Sequence, residues 1–341
     1  MAADRRMRIA VAGAGSVGCY LGGCLTLAGH DATLLLRPAL AEAIARHGLL
    51  ISDLDGADRV LAPSAVRLAT DPEAAFAEAD IILVTVKSGA TEAMAGLIAE
   101  HAVSGATVVS LQNGVGNVDV LLARLGGMAR VVPGMVPFNV VQTQEKGQPP
   151  RFHRATSGTV QIGAGVGGLR EVLSVKGVAV AESNDMAGVL WGKLLLNLNN
   201  ALNALAGIPL AAELADKRWR RLLARQIDEG LKVLKAAGIR PARIEGVPPN
   251  AVPRILRLPN WLFRRVAASM LAIDPEARSS MWEDLERRRP TEIGHLQGAI
   301  LALAATTGVR VPLTERIVRL VKEAEAARAG SPGLRPEQIK A

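Results

Sequence analysis

At 341 residues the chain exceeds the usual single-domain size, so two domains are expected, each long enough to close a core. Its hydrophobic residues, 49% of the total, are mainly Ala, Leu and Val with only 3% aromatics, which favours α/β and helical packing over a sandwich. The net charge of +8 is dispersed, with Arg287-Arg288-Arg289 read as a solvated helix end; one Tyr and four Phe offer little base stacking, so anionic small molecules fit better than nucleic acid.

Arg8 to Ala12 reads as a short buried strand, followed at once by Gly13-Ala14-Gly15-Ser16-Val17-Gly18 and a helix through about Ala28. In that context the glycines form a dinucleotide fingerprint. One serves the tight turn, one the close approach of a pyrophosphate and one helix-on-strand packing, while the helix N-terminus faces the phosphates. The uncharged run from Ile9 to Gly29 must also be tested as a signal or membrane segment, and its six glycines break it. The two cysteines, Cys19 and Cys24, fall on this helix and read as reduced packing residues of a cytoplasmic protein.

The next strand, Ala32 to Leu36, should end beside the adenosine ribose. An acidic residue there would bind the 2′-hydroxyl of NAD. The chain has Arg37 instead, which can pair with a 2′-phosphate, so NADP is the expected cofactor. Ala39 to His47 reads as helix and Ile51 to Val66 as a small β excursion. Asp80 to Lys87 is an apolar run of strand length, Ala93 to His101 a helix, and Thr107 to Leu111 a strand that ends in Gln112-Asn113-Gly114-Val115-Gly116. Lys87 and Asn113 are thus expected at the same sheet edge as the glycine loop. Val131 to Val141 should continue the sheet, Arg151 to Gly163 should form exposed strands, and Val172 to Val180 should close the first domain. His153 lacks an acidic or nucleophilic neighbour and reads as a surface residue. Ala181 to Asp185 reads as a connector, giving domains of 1–184 and 185–341.

From Asp185 the pattern is helical. The run Trp191 to Asn203 is apolar except for one lysine and several asparagines, and at about 100° per residue Lys193, Asn197 and Asn200 share one strip. A buried ammonium and buried amides need partners, so the strip implies a polar network, a ligand, or both. Helices are expected over Ala211 to Ala237, Trp261 to Ala272, Ser280 to Arg289, Thr291 to Thr307 and Pro312 to Arg328, with a Pro-containing connection from Pro241 to Pro259 and a frayed tail from about 330. Ser280 reads as an N-cap, with Glu283 completing a capping box, and Glu292 as a first-turn carboxylate after Pro290. A shared place in a site is the competing reading of both.

Taken together, Gly13-Ala14-Gly15-Ser16-Val17-Gly18, Arg37, Lys87, Gln112-Asn113-Gly114-Val115-Gly116, Lys193-Leu194-Leu195-Leu196-Asn197 and Ser279-Ser280-Met281 through Thr291-Glu292-Ile293 resemble the ketopantoate reductase (2-dehydropantoate 2-reductase) family over nearly the whole chain. The resemblance implies a Rossmann-type NADP-binding domain followed by an all-helical substrate domain. It also implies NADPH-dependent reduction of 2-dehydropantoate to (R)-pantoate, in a monomer or homodimer with no metal and no membrane or nucleic-acid partner. Lys193 matches the family's general acid and Glu292 its acidic partner. Asn113 matches a residue between cofactor and substrate, Lys87 one on the cofactor side, and Asn197 and Ser280 substrate-binding positions. Family members commonly carry a second asparagine eight residues after the lysine, where this chain has Ala201; Asn200 falls on the Lys193 strip and can substitute. That departure bears on which 2-oxo acid is reduced. The alternatives are a related reductase of another 2-oxo acid and a non-catalytic NADP-binding sensor.

Overall fold

Strand β1 (Arg8–Ala12) is apolar on both faces because both are covered: Ile9 and Val11 pack into one core, Ala10 and Ala12 into another. It belongs to the first of two compact units, 1–186 and 187–341, in a computed structural model that describes residues 7–243, 246–267 and 277–339. After β1 come α1 (Ser16–Leu27), β2 (Asp31–Leu35), α2 (Pro38–His47), β3 (Leu49–Asp53), β4 (Asp58–Leu61), β5 (Arg67–Ala69), α3 (Pro72–Phe76) and β6 (Ile81–Val84). The unit continues with α4 (Thr91–His101), β7 (Thr107–Ser110), α5 (Asn117–Leu125), β8 (Arg130–Met135), β9 (Val140–Thr143), β10 (Arg151–Arg154), β11 (Val160–Gly163), α6 (Leu169–Leu173) and β12 (Val180–Ser183).

One sheet runs β12-β11-β8-β7-β6-β1-β2-β5 and is parallel throughout except where β8 meets β11. Chain order reverses at β1, which lies between β2 and β6, and at such a switch point the loops leaving the strands diverge and open a crevice. Register brings the strand ends level: Ala12 pairs with Val84, and Val84 with Ser110. A smaller sheet, β4-β3-β10-β9, packs against α1 through Ile51 and Phe152.

Three expectations are corrected in this unit. The stretch Val131 to Val141 divides between the two sheets. Pro137, which has no N–H for a ladder, falls at the break, and Phe138 turns inward to meet the Tyr20 ring edge-on at 5.7 Å. Strand β11 is buried rather than exposed, because β8 and β12 flank it. The closing strand is Val180–Ser183, read from sequence as partly connector, while Leu169–Leu173 forms a helix after Gly168, whose φ is +79°.

The named elements of the second unit, among its described residues, are all helices: α7 (Met186–Asn197), α8 (Asn199–Ala206), α9 (Leu210–Ala215), α10 (Lys217–Ala236), α11 (Val252–Leu256), α12 (Asn260–Val266), α13 (Ser280–Glu286), α14 (Gln297–Thr307), α15 (Pro312–Ala327) and α16 (Pro336–Ile339). The expected helix over 211–237 breaks at Asp216, whose carboxylate caps α10 by accepting from Arg218 N–H. The connection 241–259 contains α11, and α12 starts at Asn260; residues 268–272 of the helix expected there lie outside the described residues. Arg220 is 1% exposed, and its guanidinium donates to the carbonyls of Leu214, Leu256 and Leu258 and to Asn260 Oδ1, tying the α9–α10 corner to α11 and α12.

The tail does not fray over its described part. Ser331 Oγ donates to Ala204 O (2.7 Å), Leu334 N–H to Leu205 O (2.8 Å), and Ile339 is fully buried. These donors satisfy carbonyls in the last turn of α8, which have no partner within the helix. Among the described residues no helix is long and apolar enough to cross a membrane, and no group of three His, Cys, Asp or Glu is placed to hold a metal.

Candidate active site

The glycine loop leaves β1 with Gly13 at φ +76°, where a Cβ would collide with the Val86 side chain. A Cβ at Gly18 would collide with Thr85 Oγ1 and stand 3.0 Å from Val11 Cγ1, so this glycine sets how closely α1 approaches the sheet. Gly15 differs from both. It is exposed, has φ −82°, and a Cβ there would meet nothing within 4 Å. Among the described residues no side chain crowds this position, so the backbone here is open to approach from outside. As the N-cap of α1, Gly15 brings no side-chain cap, and the first turn, which includes Ser16 and Val17, carries no acid, so its N–H groups have no side-chain acceptor of their own. Thr85 Oγ1 donates to Gly13 O (3.1 Å) and steadies the loop.

Arg37 is exposed just past β2 and caps α2 with its backbone; among the described residues no acidic side chain pairs with it. Lys87 is exposed after β6, and Asn113 is exposed after β7. The structure therefore gathers Gly13, Gly15, Ser16, Val17, Gly18, Arg37, Lys87 and Asn113 at the C-terminal ends of β1, β2, β6 and β7.

Beneath Lys87 and Asn113 runs a buried polar network that sequence reading missed. Gln112 Nε2 donates to Val86 O (3.1 Å) and to Thr91 Oγ1 (2.7 Å), and Thr91 Oγ1 donates to Asn117 Oδ1 (2.8 Å). Asn117 Nδ2 and Ser88 Oγ both donate to Asn113 O, at 2.8 and 2.7 Å. The loops that carry Lys87 and Asn113 are thus cross-linked, with a fixed Asn113 backbone and an exposed side chain. The Gln112-Asn113-Gly114 turn was the one sequence signal for it. His153 lies in the smaller sheet, half-buried, within 2.9 Å of Ser52 Oγ; burial and then Arg151 lower its pKa. Cys19 and Cys24 are buried free thiols, and burial pushes Cys24 up to about 11.

In the second unit the polar strip spans two helices, because the run breaks at Leu198 between α7 and α8. Lys193 is half-buried, Asn197 buried and Asn200 half-buried, whereas Ala201 is fully buried. At this turn Asn200 is the amide nearer the surface. Gly192 admits a close neighbour beside Lys193: Ala242 N–H donates to Gly188 O (2.8 Å), and a Cβ on Gly192 would stand 2.9 Å from Ala242 O.

Ser279, not Ser280, caps α13: its buried Oγ accepts from Trp282 N–H (3.1 Å) and donates to Asn200 O (3.0 Å). Ser280, the next residue, is exposed and relieved of the capping task assigned to it from sequence. Glu292 is likewise not in the first turn of α14, which begins at Gln297. It lies in the preceding turn, where its carbonyl accepts from the N–H groups of His295 and Leu296. Gln297 Nε2 donates to Leu198 O (2.9 Å), so the segments carrying Ser280 and Glu292 are both anchored to the lysine helix pair.

Comparison with known proteins finds relatives that span both units. A family profile described as "Ketopantoate reductase PanE/ApbA" matches residues 9–167, and one described as "Ketopantoate reductase PanE/ApbA C terminal" matches residues 185–325. The 2-dehydropantoate 2-reductase of Halobacterium salinarum is 30% identical over 334 residues, covering 94% of this chain and 99% of that protein. That of Archaeoglobus fulgidus is 29% identical over 329 residues, covering 94% and 99%. The crystal structure of a PanE/ApbA family ketopantoate reductase from Ralstonia eutropha JMP134 is similar with a TM-score of 0.77 and 30% identity, covering 94% of this chain and 99% of that one.

Proposed function

The chain belongs to the ketopantoate reductase PanE/ApbA family of oxidoreductases, and on that premise we propose that it reduces the C2 ketone of 2-dehydropantoate to (R)-pantoate with NADPH, a step toward pantothenate. The observation that carries this reading is the joint presence of a glycine loop with open space at Gly15 and of Lys193, Ser280 and Glu292 within the C-terminal match, 185–325. A sensor that only bound the dinucleotide would have no use for the second set.

The nicotinamide of the bound dinucleotide supplies a hydride. N–H groups of the first turn of α1, including those of Ser16 and Val17, hold the pyrophosphate, and Gly13, Gly15 and Gly18 keep the approach clear. Arg37 pairs with the 2′-phosphate, and Lys87 and Asn113 bind from the neighbouring strand ends. As the ketone carbon is reduced, its oxygen gains negative charge. The Lys193 ammonium donates a proton to that oxygen, giving the hydroxyl of the product and a neutral amine. Glu292 orients the lysine and the substrate. Asn113, Asn197, Asn200 and Ser280 hydrogen-bond the polar groups of the 2-oxo acid and fix which face of the ketone is presented.

A second reading, reduction of a different 2-oxo acid by the same chemistry, is favoured by one observation: Ala201 stands where family members commonly carry an asparagine. Loss of NADPH absorbance with purified protein and a panel of 2-oxo acids tests both. Turnover of 2-dehydropantoate above the others is the expected result. Turnover that spares it selects the second reading, and no turnover with any oxo acid sinks the reductase.

A further inference from the structure

Asn203 is fully buried on α8, and each of its polar atoms has a defined task. Nδ2 donates to Ile208 O (2.9 Å) and to Glu213 Oε2 (2.7 Å), while Oδ1 accepts from the N–H of Ser279 (2.8 Å). An amide with three partners on three segments cannot rotate without losing hydrogen bonds in a place where water does not replace them. The third partner matters most, because Ser279 is the N-cap of α13 and Ser280 its first residue. A second bond, from Ser279 Oγ to Asn200 O (3.0 Å), ties the same cap to the same helix.

Glu213 sits behind this arrangement on α9, 1% exposed. Burial pushes its carboxyl up to about 8, and the groups opposing that rise are the side chains of Asn203 and Asn199, not a cation. Near neutral pH it is therefore largely a neutral acid that accepts from Asn203, a role a glutamine fills with the same shape.

We propose that Asn203, oriented by Glu213, is a positioning residue for Ser280, fixing the seat of the α13 N-terminus on the lysine helix pair so that the exposed Ser280 hydroxyl is held ready for the 2-oxo acid. The proposal rests on the reading of the chain as a 2-oxo acid reductase. It adds a determinant of substrate affinity that touches neither substrate nor cofactor.

The test is steady-state kinetics on the full chain with NADPH and the best 2-oxo acid of the panel, for Asn203→Ala, Glu213→Ala and Glu213→Gln. Asn203→Ala should raise KM for the oxo acid about tenfold, the loss of one well-made buried hydrogen bond. KM for NADPH should stay within about twofold, because Asn203 and its partners lie wholly within the helical unit. Glu213→Ala should move the oxo-acid KM in the same direction, and Glu213→Gln should restore it. Amide hydrogen exchange at Ser279 should quicken in the first two variants and not in the third.

A purely structural cross-link predicts another pattern, a lower Tm and less active protein with both KM values unchanged, and that pattern overturns the proposal. A glutamine as impaired as the alanine at position 213 also overturns it. If Asn203→Ala does not fold, the two Glu213 variants decide alone. Absence of turnover in the unaltered protein would sink the reductase reading and this inference with it. A failure of the inference alone shows only as variant KM values that do not move in a protein that turns over normally.

Discussion

Arg37 is the residue on which the proposed choice of NADPH over NADH rests. It is exposed past the end of β2 and, among the described residues, bound to no acid, so its guanidinium is available to a 2′-phosphate. A charge-assisted pair of this kind contributes about 1.5–3 kcal/mol. Arg37→Ala should accordingly weaken NADPH about ten- to a hundredfold in a binding titration while moving NADH by less than twofold, and equal losses would remove the phosphate role. Lys193→Ala should lower kcat about a hundredfold or more, with the Kd for NADPH nearly unchanged; a wild-type rate would take it out of the mechanism.

Glu213 yields a prediction of a different sort. Its folded pKa, up to about 8, lies above the ordinary 4.5, so the folded state holds the proton more tightly. Its contribution to stability is full below about 4.5, falls as pH rises toward about 8, and levels off above that. Glu213→Gln should flatten that segment of the Tm-versus-pH curve, and an unaltered slope would assign it to other groups. Lys193 stands out in the sequence as a cation in an apolar helix, whereas the capping places read for Ser280 and Glu292 belong in the fold to Ser279 and to a turn before α14. Asn203 and Ser279 were not legible there, since the bond that gives them meaning joins residues 76 apart.

At the level of elements, the loop between β1 and α1 separates two uses of glycine. Gly18 is demanded by the fold, because a Cβ would strike Thr85. Packing does not demand Gly15, because among the described residues a Cβ there would meet nothing within 4 Å. Gly18→Ala should therefore lower Tm, with overpacking costs of about 1–3 kcal/mol. Gly15→Ala should leave Tm within about a degree while weakening NADPH severalfold or more, and a stability loss at 15 as large as that at 18 would contradict the distinction. The central parallel strands β1, β6 and β7 were readable as unbroken apolar runs, since burial on both faces removes alternation. The break at Pro137 and the burial of β11 were not, because both depend on which strands happen to flank them.

For the whole molecule, a sheet-containing unit followed by a helical one was legible from the change of hydrophobic period near residue 185, and the tail was misread. A segment with Gly, Pro and polar residues gives no sign that its Ser331 hydroxyl and Leu334 N–H meet α8. Deleting 330–341 strips carbonyls of Ala204 and Leu205 and uncovers the seat of Ile339. At about 2 kcal/mol or more this should lower Tm by roughly 5 °C, read by calorimetry, and should also reduce turnover, because α8 follows directly on the lysine helix. A truncated chain with an unchanged Tm would show that the tail's contacts carry no net stability.

The open space at Gly15 also bears on descent. Because no side chain among the described residues crowds that position, the proposed dinucleotide is what would keep it a glycine through time. In a lineage freed from its redox task, position 15 should drift first, while Gly13 and Gly18 persist for the sake of the fold. Among distant kin of this chain, the residue at 15 is then a marker of who still works.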